Sequence, residues 1–247
     1  MIAYQAEAIV LRTWPIHEAD LIVSFFTREY GVIKGVAKAA SKSRRRFGGA
    51  LEPMTHVRAS YAERPKQDLV RLDSLEILSS PLSQPVDYSR AAALAFFAEV
   101  IEDTLPEQDP QDTIFRLLLA VLEHTRVEQV WLPVTYFALW MTRLLGWLPD
   151  LNRCVHCGVL LAGSIAFFQA SDDGLLCLEH RGPGAWKLST DSQIVAARIF
   201  RSPISALGAE PWTRNRAADL RTFSLQALQR HIEHRLTSAV ALARLGG

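Results

Sequence analysis

The chain is poor in cysteine, with three in 247 residues, and equally poor in methionine. Three thiols close no disulfide framework, and a chain this long needs none, so the expected compartment is the reducing cytosol. No apolar run reaches the roughly 18 residues that a membrane-spanning helix requires. The opening MIAYQAEAIVLR lacks a basic stretch followed by an apolar one, so no secretory signal is expected. The strings G-x-x-x-x-G-K-[ST], G-x-G-x-x-G and G-x-S-x-G do not occur. Nucleotide hydrolysis, dinucleotide binding and serine-hydrolase chemistry therefore lack a motif. Net charge is nearly absent too: 27 Lys plus Arg face 26 Asp plus Glu, which at face value argues against a polyanion partner.

What the chain does have is apolar content, 49% of residues, enough for a core in one large domain or two modest ones. Its charge is also unevenly placed. Residues 1–80 hold 12 basic and 9 acidic groups, residues 87–150 hold 4 and 10, and residues 151–247 hold 11 and 7. Between positions 28 and 46, Arg28, Lys34, Lys38, Lys42, Arg44, Arg45 and Arg46 stand against Glu29 alone. A local excess of this size says more about partners than the net value does, although a solvated loop is its plainer explanation.

The first 80 residues read as strands: Ala6–Leu11, Leu21–Thr27, Gly31–Ala37, Met54–Tyr61 and Leu69–Ile77. Pro15, Tyr30-Gly31, Gly48-Gly49 and Pro65 supply the turns, with a further turn at His17-Glu18 shaped by Asp20. Five short strands in such a length suggest a small Greek-key barrel of the oligonucleotide-binding (OB) kind. After a linker at Ser79–Pro85 the period changes. Helices are predicted over Ser89–Leu105, over Pro110–Thr125 with Asp109-Pro110 as N-cap and first residue, and over Pro133–Leu145 ending at Gly146. Ser189–Phe200 and Thr213–Leu236 read as helices as well, and Ala239–Gly247 as a frayed tail.

All three cysteines fall in one pattern, Cys154-Val-His-Cys157 followed by Cys177-Leu-Glu-His180. Two such pairs offer the four N/S ligands of a closed structural zinc site, with Gly158 and Gly174 easing the turns. His156 competes with His180 for the fourth place, and its position between two cysteines favours His180. Four protein ligands leave no open position for a catalytic water, and the H-x-E and P-C-x-x-C strings of zinc deaminases are missing. His231 and His234 lie three apart on a predicted helix without H-E-x-x-H, and read as a polar face. The pairs Glu102-Asp103 and Asp172-Asp173 read as solvated rather than catalytic.

In sequence order, AEAIVLR, EADLIVSFFTREYGVIKGVAKAASKSRRRFGGALEP, FFAEVIEDTLPEQDPQDTIFRLLLAVLEHT, LLGWLPDLNRCVHCG and GLLCLEH resemble the RecO family of bacterial recombination mediators, over about residues 5–180. The resemblance implies an α+β multidomain protein. An OB-fold DNA-binding barrel over 1–80 precedes a helical domain over 81–247, with a zinc knuckle inserted at 151–182. Members bind single- and double-stranded DNA and anneal complementary strands. With RecR they help load RecA onto DNA coated by single-stranded DNA-binding protein (SSB), in the RecF pathway. The implied protein is cytoplasmic, nucleoid-associated, free of membrane and not an enzyme. The family's zinc positions fall on Cys154, Cys157 and Cys177, with His180 where a fourth cysteine is usual. The family's Ala-Lys-Gly stretch reads Ala37-Lys38-Ala39 here.

In this reading Arg28, Lys34, Lys38, Lys42, Arg44, Arg45 and Arg46 neutralise phosphates without regard to sequence, and Tyr30 and Phe47 are candidates for base stacking. Arg214, Arg216, Arg221, Arg230 and Arg235 form a second basic set, for extending the DNA path or gripping the acidic C-terminal tail of SSB. The acidic stretch 87–150 is a candidate protein-docking face. Two rival readings are a zinc-dependent nucleic-acid enzyme and a zinc-stabilised protein–protein adaptor.

Overall fold

Alternating small and branched side chains shape the first third of the chain. In β1 (Ala3–Pro15), Ala6, Ala8 and Val10 face one core while Ile9 and Leu11 are buried on the other side, which is why AEAIVL reads as an unbroken apolar run. β2 (Leu21–Thr27) and β3 (Gly31–Ala37) form an antiparallel hairpin over the predicted residues. Its turn is fixed by Gly31 at φ +72° and by Thr27 Oγ1, which donates to the Gly31 carbonyl at 2.8 Å. β4 (His56–Ala62) and β5 (Val70–Ser79) follow. β1 outruns its predicted span because it pairs with β4 through its first half and with β2 through its second. A parallel β3–β5 ladder completes a closed barrel in the order β1-β2-β3-β5-β4. Between β3 and β4, a 3₁₀ turn at Ala40–Lys42 leads into the one-turn helix α1 (Arg44–Phe47).

The computed structural model describes residues 2–16, 18–64, 67–126 and 129–245, and of Ser41 and Arg44 only the backbone. The predicted turn residues His17 and Pro65 lie outside the described residues. The chain forms two compact units, one from residues 1–128 and 236–243, the other from residues 129–235 and 244–247. Among the described residues no helix is long and apolar enough to cross a membrane.

In the first unit, α2 (Tyr88–Thr104) and α3 (Asp112–His124) accompany the barrel. Phe115 of α3 meets Phe26 of β2 edge to face, with ring centroids 5.4 Å apart. α3 does not start at Asp109-Pro110 as predicted. Its N-cap is Gln111, since the Asp109 carboxylate accepts from Gln111 Nε2 at 2.8 Å instead of capping the helix. The predicted frayed tail is also corrected, because Thr237–Arg244 forms a helix, α8. Its first turn is held by Glu99 of α2, which is 6% exposed. Glu99 Oε1 accepts from the Thr237 amide and hydroxyl at 2.9 and 2.8 Å, and Oε2 from the Ser238 amide at 2.8 Å and the Ser238 hydroxyl. A carboxylate at a helix N-terminus satisfies donors that the helix itself leaves open.

The second unit holds α4 (Trp131–Leu144), the three-residue strands β6 (Ala166–Phe168) and β7 (Trp186–Leu188), α5 (Thr190–Arg201), α6 (Ile204–Leu207) and α7 (Ala218–Gln229). Ser189 caps α5 by accepting from the Ser192 amide. α7 is shorter than the predicted Thr213–Leu236. The chain turns through Ala217 at φ 52° before it and leaves the helix after Gln229, so His231 and His234 do not share a helical face.

Two measurements test this packing. Burial pushes the Glu99 carboxyl up, but its bonds from Ser238 and Thr237 outweigh that and hold it below the usual carboxylate range. The clasp is therefore fully present above the unfolded pKa of about 4.3 and fades as pH falls through the lower folded value. Glu99→Gln, which turns one acceptor into a donor, is expected to cost about 2–3 kcal/mol in urea unfolding at pH 7 and less near pH 3. Ala39 sits at φ 52°, where glycine is at ease, so Ala39→Gly is expected to raise stability by about 0.5–1 kcal/mol.

Candidate functional site

The basic segment after β3 is positioned by what it buries. Phe47 is 2% exposed and Ala50 1%, and both join the barrel core with Phe25, Tyr61 and Leu72. Phe47 thus offers no open ring face to a base, and its predicted stacking role is corrected to that of an anchor. Asp20 Oδ1 accepts from the Ala39 amide at 2.7 Å and fixes the bend where β3 ends. Arg46 locks the segment from inside: it lies 5.0 Å over the Phe47 ring and donates to Ser43 Oγ and, at 2.6 Å, to the Lys38 carbonyl.

The seven predicted cations therefore do not act alike. Lys38, Lys42 and Arg45 are exposed and make no ion pair among the described residues, while the Arg44 side chain lies outside them. Arg28 Nε pairs with Asp112 Oδ1 at 2.6 Å and its NH1 with Glu7 Oε2 at 3.4 Å, and Lys34 Nζ pairs with Glu107 Oε1 at 2.6 Å. The hydrogen bond and charge of Arg28 hold the Asp112 carboxyl below its usual range. Sequence reading missed these partners, although the acid-rich run Glu107 to Asp112 was its available signal. Tyr30 is 39% exposed and packs edge to face on Tyr4 and Tyr61. The recess beside it, ≈ 390 Å³, is lined by Glu29, Glu63 and Asp68 with Arg64, a net acidic lining that disfavours phosphate.

The second basic set disperses. Arg221 is buried, lies 4.6 Å over the Trp131 ring and donates to Thr135 Oγ1 at 3.0 Å, and burial lowers its pKa to about 10. It belongs to the packing of α4 on α7 and not to a surface path. Arg216 pairs with Glu210, and Arg230 with Asp173 at 3.0 Å while donating to the Gln169 carbonyl at 2.7 Å.

The cysteines converge. The Sγ atoms of Cys154, Cys157 and Cys177 and one ring nitrogen of His180 lie within 4.8 Å of one another. Gly158 at φ +72° allows the first turn, whose amide donates to the Cys154 carbonyl at 2.8 Å. Gly174 serves by close approach, since a Cβ there would lie 3.1 Å from the Val155 Cβ. Cys157 Sγ is 3.9 Å from Cys177 Sγ, and His180 Nδ1 is 3.8 Å from Cys154 Sγ and 3.2 Å from Cys177 Sγ. Metal–sulfur bonds of about 2.3 Å at tetrahedral angles place two sulfurs about 3.8 Å apart, so the donor set fits a tetrahedral metal. Burial pushes the Cys154 thiol up, but bonds from the Cys157, Cys177 and His156 amides and the Cys157 thiol outweigh it and bring the pKa down to about 6. His156 is engaged elsewhere: its Nε2 is 2.6 Å from Asp172 Oδ1. Bonds from Gln169, Ser171 and His156 lower the Asp172 pKa to about 2.

Comparison with known proteins meets this geometry. The family model for the recombination protein O N-terminus matches residues 1–81, and that for its C-terminus matches residues 85–239. The chain belongs to the RecO family. It is 53% identical to the DNA repair protein RecO of Koribacter versatilis over 98% of both chains. The RecO of Anaeromyxobacter sp. (strain K) is 29% identical over 96% of this chain and 95% of its own. The RecO of Syntrophobacter fumaroxidans is 34% identical over 71% and 70%.

A metal held by the four donors has a direct test. Metal analysis of purified protein is expected to give about one equivalent, and Cys157→Ser to lose it. A strong chelator is expected to lower the melting temperature by several degrees. Protein that melts unchanged after such treatment, and never held metal, speaks against the site.

Proposed function

We propose that this DNA repair and recombination protein works as a mediator that binds and anneals DNA without catalytic turnover. Residues 1–80 are assigned as an OB-fold DNA-binding domain, which the closed five-stranded barrel supports. Residues 81–247 are assigned as the helical domain, with a zinc knuckle at 151–182. The observation that carries the reading is the anchored segment after β3, which offers Lys38, Lys42 and Arg45 to solvent while Phe47 holds it to the core.

Annealing follows from charge. Two single strands repel until their phosphates are neutralised, and cations on a fixed scaffold release counterions as they bind. Nothing in that step needs an acid, a base or a nucleotide. Lys38, Lys42 and Arg45 make three single-strand contacts, for a log–log salt slope of roughly −2. Cys154, Cys157, Cys177 and His180 would hold zinc, whose part is to cross-link their two chain segments, with all four positions taken by protein.

The partners carried over from the resemblance are single- and double-stranded DNA, RecR and the SSB tail, with RecA reached indirectly. An adaptor role is favoured by one further observation. Val159, Leu160, Ile165 and Leu178 are all at least half exposed and line a recess of ≈ 710 Å³ beside the cysteine cluster, a surface suited to protein docking.

Fluorescence annealing of complementary oligonucleotides across a salt series tests the reading. The variant Lys38→Glu/Lys42→Glu/Arg45→Glu is expected to weaken binding at least tenfold for every DNA sequence and to flatten the slope by about 2. Annealing by the parent protein is expected without ATP. Unchanged affinity in the variant would move the DNA contacts off this segment.

A further inference from the structure

The acidic run that follows α2 is not simply a linker. From Leu105 to Asp112 it lies along the start of β3. Val32 forms a parallel bridge with Glu107 and its carbonyl accepts from the Gln108 amide at 3.0 Å. Gln108 takes φ 60° in this stretch, and a Cβ on Gly31 would sit 2.4 Å from the Asp109 carbonyl oxygen. The backbone therefore comes as close as glycine allows. At its two ends, Glu107 takes Lys34 and Asp112 takes Arg28. One carboxylate of the connection and one in the first turn of α3 thus meet two of the cations that sequence reading gave to phosphate.

We infer that the Glu107–Asp112 strap is an intramolecular competitor for DNA, occupying Arg28 and Lys34 and confining the bound strand to Lys38, Lys42 and Arg45. This rests on the DNA-binding reading above. The four charged side chains of the two ion pairs are each between 41 and 55% exposed. Pairs so open to water are worth little each, so the strap lowers affinity by a few fold and does not abolish binding. The strap's backbone bonds to β3 hold its carboxylates beside the two cations. Binding is thereby limited to a few contacts, which suits a protein that must let go of the duplex it makes.

The experiment is anisotropy of a labelled oligo-dT strand across sodium chloride concentrations. Glu107→Gln/Asp112→Asn frees Lys34, leaves Arg28 only its longer contact with Glu7 at 3.4 Å, and releases Arg116, which pairs with Asp112 at 2.9 Å. It is expected to bind about threefold to tenfold tighter at low salt, with a log–log slope steeper by about 1.4, the value of two added single-strand contacts. Lys34→Gln is expected to leave the affinity of the parent protein within twofold. In the double variant, the same change is expected to remove about half of the added slope. Unchanged affinity and slope in the double variant overturn the inference, and so does weaker binding. If that variant does not fold, Arg28→Gln/Lys34→Gln decides instead: the inference expects the parent slope, and a slope flatter by about 1.4 overturns it. Failure of the parent reading looks different, because the Lys38, Lys42 and Arg45 reversal then leaves affinity untouched, whatever the strap variants do.

Discussion

Barrel closure depends on one contact between β3 and β5. Their parallel ladder runs only from Gly35 opposite Val70 to Ala37 opposite Leu72. A Cβ on Gly35 would lie 2.8 Å from Val70 Cγ2 and 3.1 Å from its carbonyl, so the strands can meet only because position 35 has no side chain. Without that meeting β3 and β5 would both be edges, open to pairing with other chains. With it, the interior fills with Phe25, Tyr61 and Leu72. The exposed basic side chains lie on the connection that follows β3. β3 must then turn away sharply after Ala37, which places Ala39 in a left-handed conformation and delivers Phe47 back to the core. The exposed cations stand where they do because both ends of that excursion are fixed.

Near-neutrality takes on a different sense in this arrangement. The 27 cations and 26 acids do not cancel as a diffuse average. Some of them cancel pair by pair at particular places, as in Lys34 with Glu107, Arg28 with Asp112, Arg12 with Glu102 and Arg58 with Glu76. Lys38, Lys42 and Arg45, after β3, are exposed and make no ion pair among the described residues. Most of these pairs are half exposed, so each adds little to stability and much to deciding which cations stay available. A count of seven basic residues therefore overstates the number free to meet phosphate.

The sequence was most legible where local pattern and final environment agree. β2 and β3 were readable to the residue, since their side chains alternate between a fixed interior and a second buried or half-open face. The start of α5 was readable to within a residue, with Thr190 or Ser189 as its cap, because the capping partner of Ser189 lies three residues on. The start of α8 was not, because its capping carboxylate lies 138 residues earlier in the chain, at Glu99. Asp109 misled for the opposite reason: it has the chemistry of a cap, but its backbone is committed to Gly31. Phe47 is the same case at the candidate site. An aromatic residue beside arginines reads as a stacking platform, and only the barrel's need for a plug makes it an anchor. The cysteine pattern was legible because ligand spacing is a property of turns rather than of tertiary context.

A metal in that cluster would also explain how a segment with so little core keeps a defined shape. β6 and β7 are three residues each, too short to stand alone, and Val155, Val159, Leu160 and Leu178 are all at least half exposed. The segment's buried apolar side chains are few: Leu161, Ala166, Phe167, Phe168, Leu175, Leu176 and Leu188, with Cys154. Covalent or metal cross-links are the usual remedy when a small unit cannot bury enough apolar surface. A disulfide would join only two of the three cysteines, whereas a metal uses all three and ties His180 to them. The imidazole matters for charge as well. Three thiolates around a divalent cation carry one negative charge, and four would carry two. The guanidiniums of Arg153, donating to the Gly158 carbonyl, and Arg181, over the Phe167 ring, keep their charge beside these ligands. A neutral fourth ligand would leave them the smaller negative charge to balance.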